Sequence, residues 1–166
     1  PSTLAPGLAR AEREIERVLD VGGGSGQGVR ALDVREGIVA DAATGMLRRA
    51  KRHGLGAVAA DASRLPFDAE SVDAVIVLDA LHHIANPEAV VQEAARVLRP
   101  GGVLVIQEFD PTTILGRALV AGEHVLGMDS VFFAPGDLEA MVRGAGLAAT
   151  VPRTGFEYLV AGVKPR

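Results

Sequence analysis

The chain has 166 residues, of which 48% are hydrophobic and 23% charged, and this composition is typical of one folded globular domain rather than of a disordered chain. Its 21 acidic and 17 basic residues give a formal charge of −4, which argues against a nucleic-acid-binding protein. Cysteine is absent, which excludes disulfides and Cys-ligated zinc, and no apolar run reaches the roughly 18 residues of a membrane helix, so we expect a cytoplasmic protein without a membrane span.

Strands and helices are predicted to alternate along the first half of the chain. Short apolar runs predict three buried strands, over residues 18–21, 37–40 and 57–60. Helices are predicted over residues 8–17, 27–33 and 45–53. Thr44 is the expected N-cap of the third helix, and Gly54 follows its C-terminal end.

The alternation continues through the second half of the chain. The near-continuous apolar run over 72–78 predicts a strand buried on both faces. Asn86 and Pro87 begin a helix that runs to about Leu98, where Pro100 and two glycines end it. Further strands are predicted over 103–106, 147–151 and 157–163, with helices inside 111–134 and from 135 to 144. This order predicts an α/β fold with helices on both faces of a sheet.

Five glycine and serine residues, Gly22 to Gly26, follow the first predicted strand. Ligands of open parallel sheets bind beyond the carboxyl ends of the strands, and glycines let a backbone approach a ligand closely. The alternative is a tight strand-to-helix turn without a ligand. The dinucleotide fingerprint G-x-G-x-x-G fails, because its sixth position is Gln27 or Val29 depending on the register.

Carboxylates follow the second and third predicted strands. Asp41 lies 19 residues after Gly22, a position from which it can accept both hydroxyls of a ribose, although it could instead begin the next helix. Asp61 can accept from an exocyclic amine such as that of adenine, although it could instead cap the turn before Ser63.

These segments together resemble class I S-adenosylmethionine-dependent methyltransferases of the type 11 branch. Residues 18–26 are similar to the first motif of that family and residues 38–47 to its second motif. Residues 61–67 resemble its adenine-side segment, residues 73–84 its fourth strand with the trailing Leu-His-His, and residues 96–102 its lead into the fifth strand.

The resemblance implies a Rossmann-like, doubly wound, mostly parallel seven-stranded sheet with an antiparallel last strand, and S-adenosylmethionine (SAM) as cofactor. It implies cofactor contacts at Asp20, Gly22, Gly23, Gly24, Gly26, Asp41, Ala42, Met46, Asp61, Ala62 and Leu78. The first helix is shorter than in the family. Residues 1–166 are interpreted as a single domain, in which residues 1–17 form an N-terminal extension that corresponds to a truncated lid.

Three histidines are candidates for a general base. His83 and then His82 are the predicted catalytic residues, because they follow the fourth strand near the expected methyl group, although both could instead serve packing or hydrogen bonding. Consecutive histidines are not expected to face one ion, so no metal site is predicted. Candidate substrate contacts are Glu108, Asp110 and His124.

The acceptor is expected to be a small hydrophobic molecule. Residues 107–111 are loosely similar to a segment of ubiquinone and menaquinone C-methyltransferases, and residues 111–133 form either a pocket wall or part of the core. Glu108 and Asp110 could instead cap the next helix. Two other functions stay open, a non-catalytic SAM-binding module or partner subunit and a nicotinamide-dependent oxidoreductase, and a homodimer is expected as the oligomeric state.

Overall fold

Seven strands form one sheet in the computed structural model, which describes residues 3–128 and 130–166. The order across the sheet is β3-β2-β1-β4-β5-β7-β6. The strands are β1 (Arg17–Val21), β2 (Glu36–Asp41), β3 (Gly56–Ala59), β4 (Val72–Leu78), β5 (Leu98–Phe109), β6 (Ala148–Arg153) and β7 (Glu157–Val163). The pairs from β3 to β5 are parallel, whereas β7 runs antiparallel to both β5 and β6. The predicted mostly parallel sheet with an antiparallel last strand is confirmed.

Helices cover both faces of this sheet. They are α1 (Ala5–Leu8), α2 (Gln27–Arg30), α3 (Thr44–Arg52), α4 (Pro87–Val97), α5 (Ile114–Val125) and α6 (Pro135–Gly144), with a 3-10 turn at Leu81–His83. The Asn86 side chain accepts from the Ala89 N–H at 3.1 Å and so caps α4 as predicted. Among the residues that the structure describes, no helix is long and apolar enough to cross a membrane.

The core is divided between the two faces. Side chains of α4 and α6 pack on one face with Leu19 and Ile106, and those of α1, α2 and α3 pack on the other face with Val39 and Ile76. Strand β1 lies between β2 and β4, so the chain winds away from it in both directions. The carboxyl ends of β1 and β4 therefore form the switch point at which an open α/β sheet offers a crevice for ligands.

Several predicted boundaries are wrong. The helix expected over residues 27–33 ends at Arg30, and the N-cap of α3 is Ala43 rather than Thr44. The helix expected over residues 8–17 is confined to Ala5–Leu8, and the segment that follows is irregular. The N–H groups of Glu16 and Arg17 bond instead to the Asp73 carboxylate, so tertiary partners replace those of a helix. Strand β5 begins at Leu98 rather than at residue 103. The Gly101 N–H donates to the Lys164 carbonyl and the Lys164 N–H donates to the Gly102 carbonyl, and these bonds extend the sheet through the Pro-Gly-Gly segment.

Candidate active site

A cleft opens at the carboxyl ends of β1 and β4. It consists of a first cavity of about 760 Å³ and a second cavity of about 580 Å³, which share Gly22 and Asp79 in their walls. Both volumes lie in the range of small-molecule and cofactor sites. Among the predicted site residues, the first cavity is lined by Gly22, Asp41, Ala42, Asp61, Ala62 and His83, and the second by Asp20, Gly22, Gly23 and Leu78.

The glycine loop connects β1 to α2 and separates the two cavities. Gly22, Gly24 and Gly26 have φ angles of 69°, 55° and 79°, in the left-handed region that residues with a Cβ rarely adopt. Gly23 is required for another reason, since a Cβ there would overlap the carboxyl group of Asp20. The G-x-G-x-G spacing is thus a backbone requirement of this turn. Met46 lies beneath it, with its Cε 3.2 Å from the position of a Cβ on Gly24.

Asp41 connects the end of β2 to the glycine loop. Its Oδ2 accepts from the Gly24 N–H at 2.8 Å and its Oδ1 from the Ala43 N–H at 2.7 Å. A carboxylate oxygen can accept more than one hydrogen bond, so both oxygens can still accept from a ligand hydroxyl. The carboxylate lines the first cavity and is held rigidly by its backbone donors.

Asp61 has the turn-capping contacts that were the alternative to ligand binding. Its Oδ1 accepts from the Ser63 N–H at 2.8 Å and from the Ser63 hydroxyl at 2.7 Å. These two hydrogen bonds lower the pKa of the carboxyl group below its ordinary value, so Asp61 is an anion at neutral pH. The group also lines the first cavity beside Ala62, so capping and ligand binding are compatible.

Asp20 is the buried carboxyl group of the second cavity, with only 1% of its surface exposed. Its Oδ2 accepts from the Val29 N–H at 3.4 Å, whereas its Oδ1 is buried and has no hydrogen-bond partner. Burial raises the pKa of this carboxyl group to about 7, against the lowering effect of the Val29 N–H, and the charge of Asp41 raises it further. A cation in the second cavity would supply the missing partner.

His82 and Glu108 form a buried pair rather than a wall of the cleft. His82 Nδ1 lies 2.6 Å from Glu108 Oε2, and Glu108 Oε1 accepts from the Leu81 N–H at 2.9 Å. The two side chains are 4% and 0% exposed, so Glu108 does not face the crevice as the sequence led us to expect. Burial lowers the pKa of His82, but the hydrogen bond and the charge of Glu108 outweigh it, so the net shift is upward.

His83 is exposed and lines the first cavity, and its Nδ1 lies 3.1 Å from the Ser130 hydroxyl. The rings of His82 and His83 lie side by side, with centroids 4.0 Å apart, which differs from the expectation that consecutive histidines point apart. The tight 3-10 turn over Leu81–His83 has this effect, because it rotates successive side chains less far apart than an extended chain does.

Asp110 and His124 lie near a third cavity of about 400 Å³, which is lined by side chains of α5 and by Met128, Ser130 and Phe132. His124 lines that cavity, whereas the Asp110 Oδ1 accepts from the N–H and hydroxyl of Thr112 and so shapes the turn before α5. Most of the apolar residues of α5 lie outside the core, so the interpretation of this helix as part of the core is wrong. Ile114, Leu115, Val125 and Leu126 are 62–89% exposed.

Known proteins share both the sequence motifs and the architecture of this chain. Residues 19–106, more than half of the chain, match the family described as a methyltransferase domain. Demethylmenaquinone methyltransferase from Mycobacterium sp. (strain KMS) is 31% identical over 158 residues, which cover 87% of this chain and 69% of the relative. The chain belongs to the SAM-dependent methyltransferase family.

Two further matches agree with this assignment. Demethylmenaquinone methyltransferase from Mycobacterium bovis (strain BCG / Pasteur 1173P2) is 38% identical over 90% of this chain and 59% of its own length. The complex between the Haloferax volcanii Trm112 methyltransferase activator and a methyltransferase contains a chain with a TM-score of 0.83 at 24% identity, covering 99% of this chain and 90% of that one. This second likeness concerns the fold alone.

The cleft of this methyltransferase fits SAM on its own geometry. The unpartnered Asp20 oxygen matches the ammonium group of a methionine moiety, and Gly22 and Gly23 of the glycine loop line the cleft with backbone alone. The family assignment decides against a nicotinamide-dependent oxidoreductase, as the failed G-x-G-x-x-G spacing indicated.

Asp79 and Gln107 are cleft residues that were not among the site residues predicted from the sequence. Asp79 follows the last residue of β4 and has a φ of 49°, a left-handed conformation that few residues with a Cβ adopt. Gln107 Nε2 lies 3.4 Å from the Asp79 Oδ2. Both residues line the second cavity. The position of Asp79 directly after a buried strand, like that of Asp41, was the signal that could have found it.

Proposed function

We propose that this methyltransferase transfers the methyl group of SAM to a small hydrophobic acceptor of the quinone class. The observation on which the proposal chiefly rests is a third cavity with apolar walls next to the cofactor cleft. Val120, Met128 and Phe132 line this cavity, and the contact between His83 and Ser130 separates it from the first cavity. The two mycobacterial relatives, whose names specify demethylmenaquinone, support the same class of acceptor.

The cofactor would span the first and second cavities. Asp41 would accept from the ribose hydroxyls, with Ala42 and Met46 beside the adenine and Asp61 with Ala62 at its edge. The glycine loop would contact the methionine moiety, Asp20 would pair with its ammonium group, and the backbone of Leu78 would face the sulfonium. Apart from Met46 on α3, these groups belong to the ends of sheet strands or to the turns after them, so the cofactor would bind to a rigid framework.

Methyl transfer is an in-line displacement at the methyl carbon. An electron pair of the acceptor forms the new bond to the methyl group while the carbon–sulfur bond breaks, and sulfur keeps that bond's electron pair to give S-adenosylhomocysteine. Positioning of the two reactants can supply roughly 7–11 kcal/mol. For a ring carbon of a hydroquinone, one proton must also leave the acceptor. His83 is proposed to take that proton, because it is the histidine that reaches the first cavity.

One experiment combines cofactor binding with turnover. Calorimetry would measure SAM, S-adenosylhomocysteine and NAD, and initial rates would be measured with a short-chain demethylated naphthohydroquinone kept reduced by dithionite. We expect Asp41→Ala to weaken SAM binding at least about tenfold, and His83→Gln to leave it unchanged while kcat falls about 10²–10⁴-fold. Asp33→Ala, at an exposed aspartate, is the matched control and should behave as wild type.

Each part of the proposal has its own contradicting result. Failure of SAM to bind would favour the alternative of a domain without catalytic activity. Binding without methylation of the hydroquinone would contradict the acceptor class, and full turnover by His83→Gln would contradict the role of the base. The single domain over residues 1–166, the homodimer and the cytoplasmic location stay predictions, and light scattering would test the homodimer.

A further inference from the structure

The side chains of His82, His83 and Glu123 converge where the first and third cavities approach each other. One ring nitrogen of each histidine and one carboxylate oxygen of Glu123 lie within 4.8 Å of one another. The histidines belong to the turn after β4, whereas Glu123 belongs to α5, so the group is formed by the tertiary structure. Methyl transfer from SAM does not by itself require such a group.

Both imidazoles are held at the same ring atom. His82 Nδ1 bonds to the fully buried carboxylate of Glu108 at 2.6 Å, and His83 Nδ1 lies 3.1 Å from the Ser130 hydroxyl. A carboxylate at Nδ1 holds the proton of a neutral imidazole there and leaves the Nε2 lone pair free, which is the arrangement that orients histidine ligands of metals. The free nitrogens are therefore oriented by partners outside the group.

Glu123 contributes an oxygen that lacks a partner. Its Oε2 is buried and accepts no hydrogen bond from the residues that the structure describes. A buried carboxylate oxygen without a partner is unfavourable, and a cation beside it removes the cost. Two imidazole nitrogens near the Glu123 carboxylate make a transition-metal ion a better match than Mg²⁺ or Ca²⁺, which prefer oxygen ligands alone.

We propose that His82, His83 and Glu123 bind one divalent transition-metal ion of the Zn²⁺ class. Two histidines and one glutamate are a ligand set that leaves a fourth position open. With bonds near 2.1 Å, tetrahedral ligand atoms lie about 3.4 Å apart, so the largest closing movement needed is about 1.4 Å, which side-chain rotation can supply. His83 and Glu123 can make this movement because they are less buried than His82.

The open position would lie beside the acceptor cavity, since Glu123 is part of its wall. An ion there would bind an acceptor oxygen and stabilise negative charge on it as a Lewis acid. This would replace proton removal by His83, because the ion would occupy the free nitrogen of that imidazole. This role rests on the proposed function. Metal binding does not, because it needs only the three side chains.

The test is a metal titration of the full chain after chelator treatment and dialysis. Calorimetry with Zn²⁺ and visible absorption with Co²⁺ would be measured on wild type, His83→Gln, Glu123→Gln and His124→Gln. The control, His124→Gln, removes the neighbouring exposed histidine of α5 that does not belong to the group. We expect the wild-type chain to bind one ion at micromolar concentrations and to show tetrahedral Co²⁺ absorption bands. His83→Gln and Glu123→Gln should each bind the ion at least about tenfold more weakly, and the affinity of the control should not change.

The same preparations would be titrated with SAM, so that failure of the metal site and failure of the proposed function are separate results. A wild-type protein that binds SAM but takes up no Zn²⁺ at 100-fold its own concentration would overturn the proposal. Equal Zn²⁺ affinity in wild type, His83→Gln and Glu123→Gln would overturn it as well, since the ion would then be bound elsewhere.

Discussion

Asp20 shows how one side chain opposes stability and serves binding. The carboxyl group is buried beneath Gly23, and one of its oxygens has no partner. Its pKa is raised from 3.8 to about 7 because burial disfavours the charge. Between these two values the unfolded chain binds fewer protons than the folded one, so stability falls as pH rises from about 4 to 7 and is level above 7. A ligand ammonium group would offset this cost.

We therefore expect Asp20→Asn to stabilise the ligand-free protein at pH 8, by at most about 4 kcal/mol, and to have a much smaller effect at pH 5. The amide keeps an acceptor for the Val29 N–H but carries no charge to bury. The same substitution should weaken SAM binding at least about tenfold. Thermal unfolding at both pH values, with and without SAM, measures both effects against Asp33→Asn as control. A lower melting temperature for Asp20→Asn at pH 8 would contradict the explanation that the buried charge of Asp20 destabilises the folded protein.

His83 and Glu108 were both expected to face the crevice, His83 as the catalytic base and Glu108 as a substrate contact, and the structure separates them. Each follows a predicted strand of the same sheet, and strand ends alone do not say which side chain turns inward. The Glu108 carboxylate is enclosed by the Leu81 N–H and His82, whereas His83 is exposed at the first cavity. Glu108 is therefore a positioning residue for His82 rather than a substrate contact.

At the scale of elements, Asp73 joins three parts of the chain. It lies on β4, and its carboxylate accepts from the Arg17 N–H at 2.9 Å and pairs with Arg13 Nε at 2.8 Å and with an Arg99 guanidinium nitrogen at 2.9 Å. Burial acts to raise its pKa, but these donors outweigh burial, so the pKa lies below its ordinary value. The group connects the segment before β1 and the start of β5 to the centre of the sheet.

Replacing Asp73 by alanine should lower the free energy of unfolding by about 2–3 kcal/mol at pH 7, because several donors lose a charged acceptor together. Because the folded pKa is depressed, the stabilisation is present above pH 3.8 and is lost as pH falls below it. Urea unfolding at pH 7 and pH 3 would measure this, with Asp33→Ala as control. Loss of the same free energy at both pH values would contradict the ionic account.

The helix α5 shows how an apolar pattern can mislead at this scale. Its apolar residues indicated a helix, and a helix is present over Ile114–Val125. Burial does not follow from the pattern, since Ile114 and Val125 are 89% and 85% exposed. The α5 residues that line the third cavity are Arg117, Val120, Ala121, Glu123 and His124.

At the scale of the whole molecule, distant parts of the chain form one cofactor cleft. The second cavity is lined by the N-terminal segment at Thr3 and Leu4, by the glycine loop, and by the ends of β4 and β5 at Leu78 and Gln107. A ligand in this cavity would contact all of these segments at once. The first described residues of the chain therefore lie at the cleft.

We expect SAM to slow amide hydrogen exchange together in residues 3–8, 20–28 and 78–80. At 100 times its Kd, SAM should also raise the free energy of unfolding by about 2.7 kcal/mol, since it binds only the folded state. Hydrogen exchange detected by mass spectrometry would measure this protection in the wild type with SAM, in the wild type with NAD, and in Asp41→Ala with SAM. Protection of residues 20–28 alone would show that the N-terminal segment is not part of the binding site.

The sequence by itself determined the sheet, the glycine loop and the acids that follow the strands. These features depend on local rules, because positive φ angles require Gly22, Gly24 and Gly26, and buried parallel strands require apolar runs. Only the tertiary structure decided what His82, Glu108 and Glu123 contact. Their partners lie 26 or more residues away in the chain, and such contacts depend on how β4, β5 and α5 pack rather than on any spacing along the sequence.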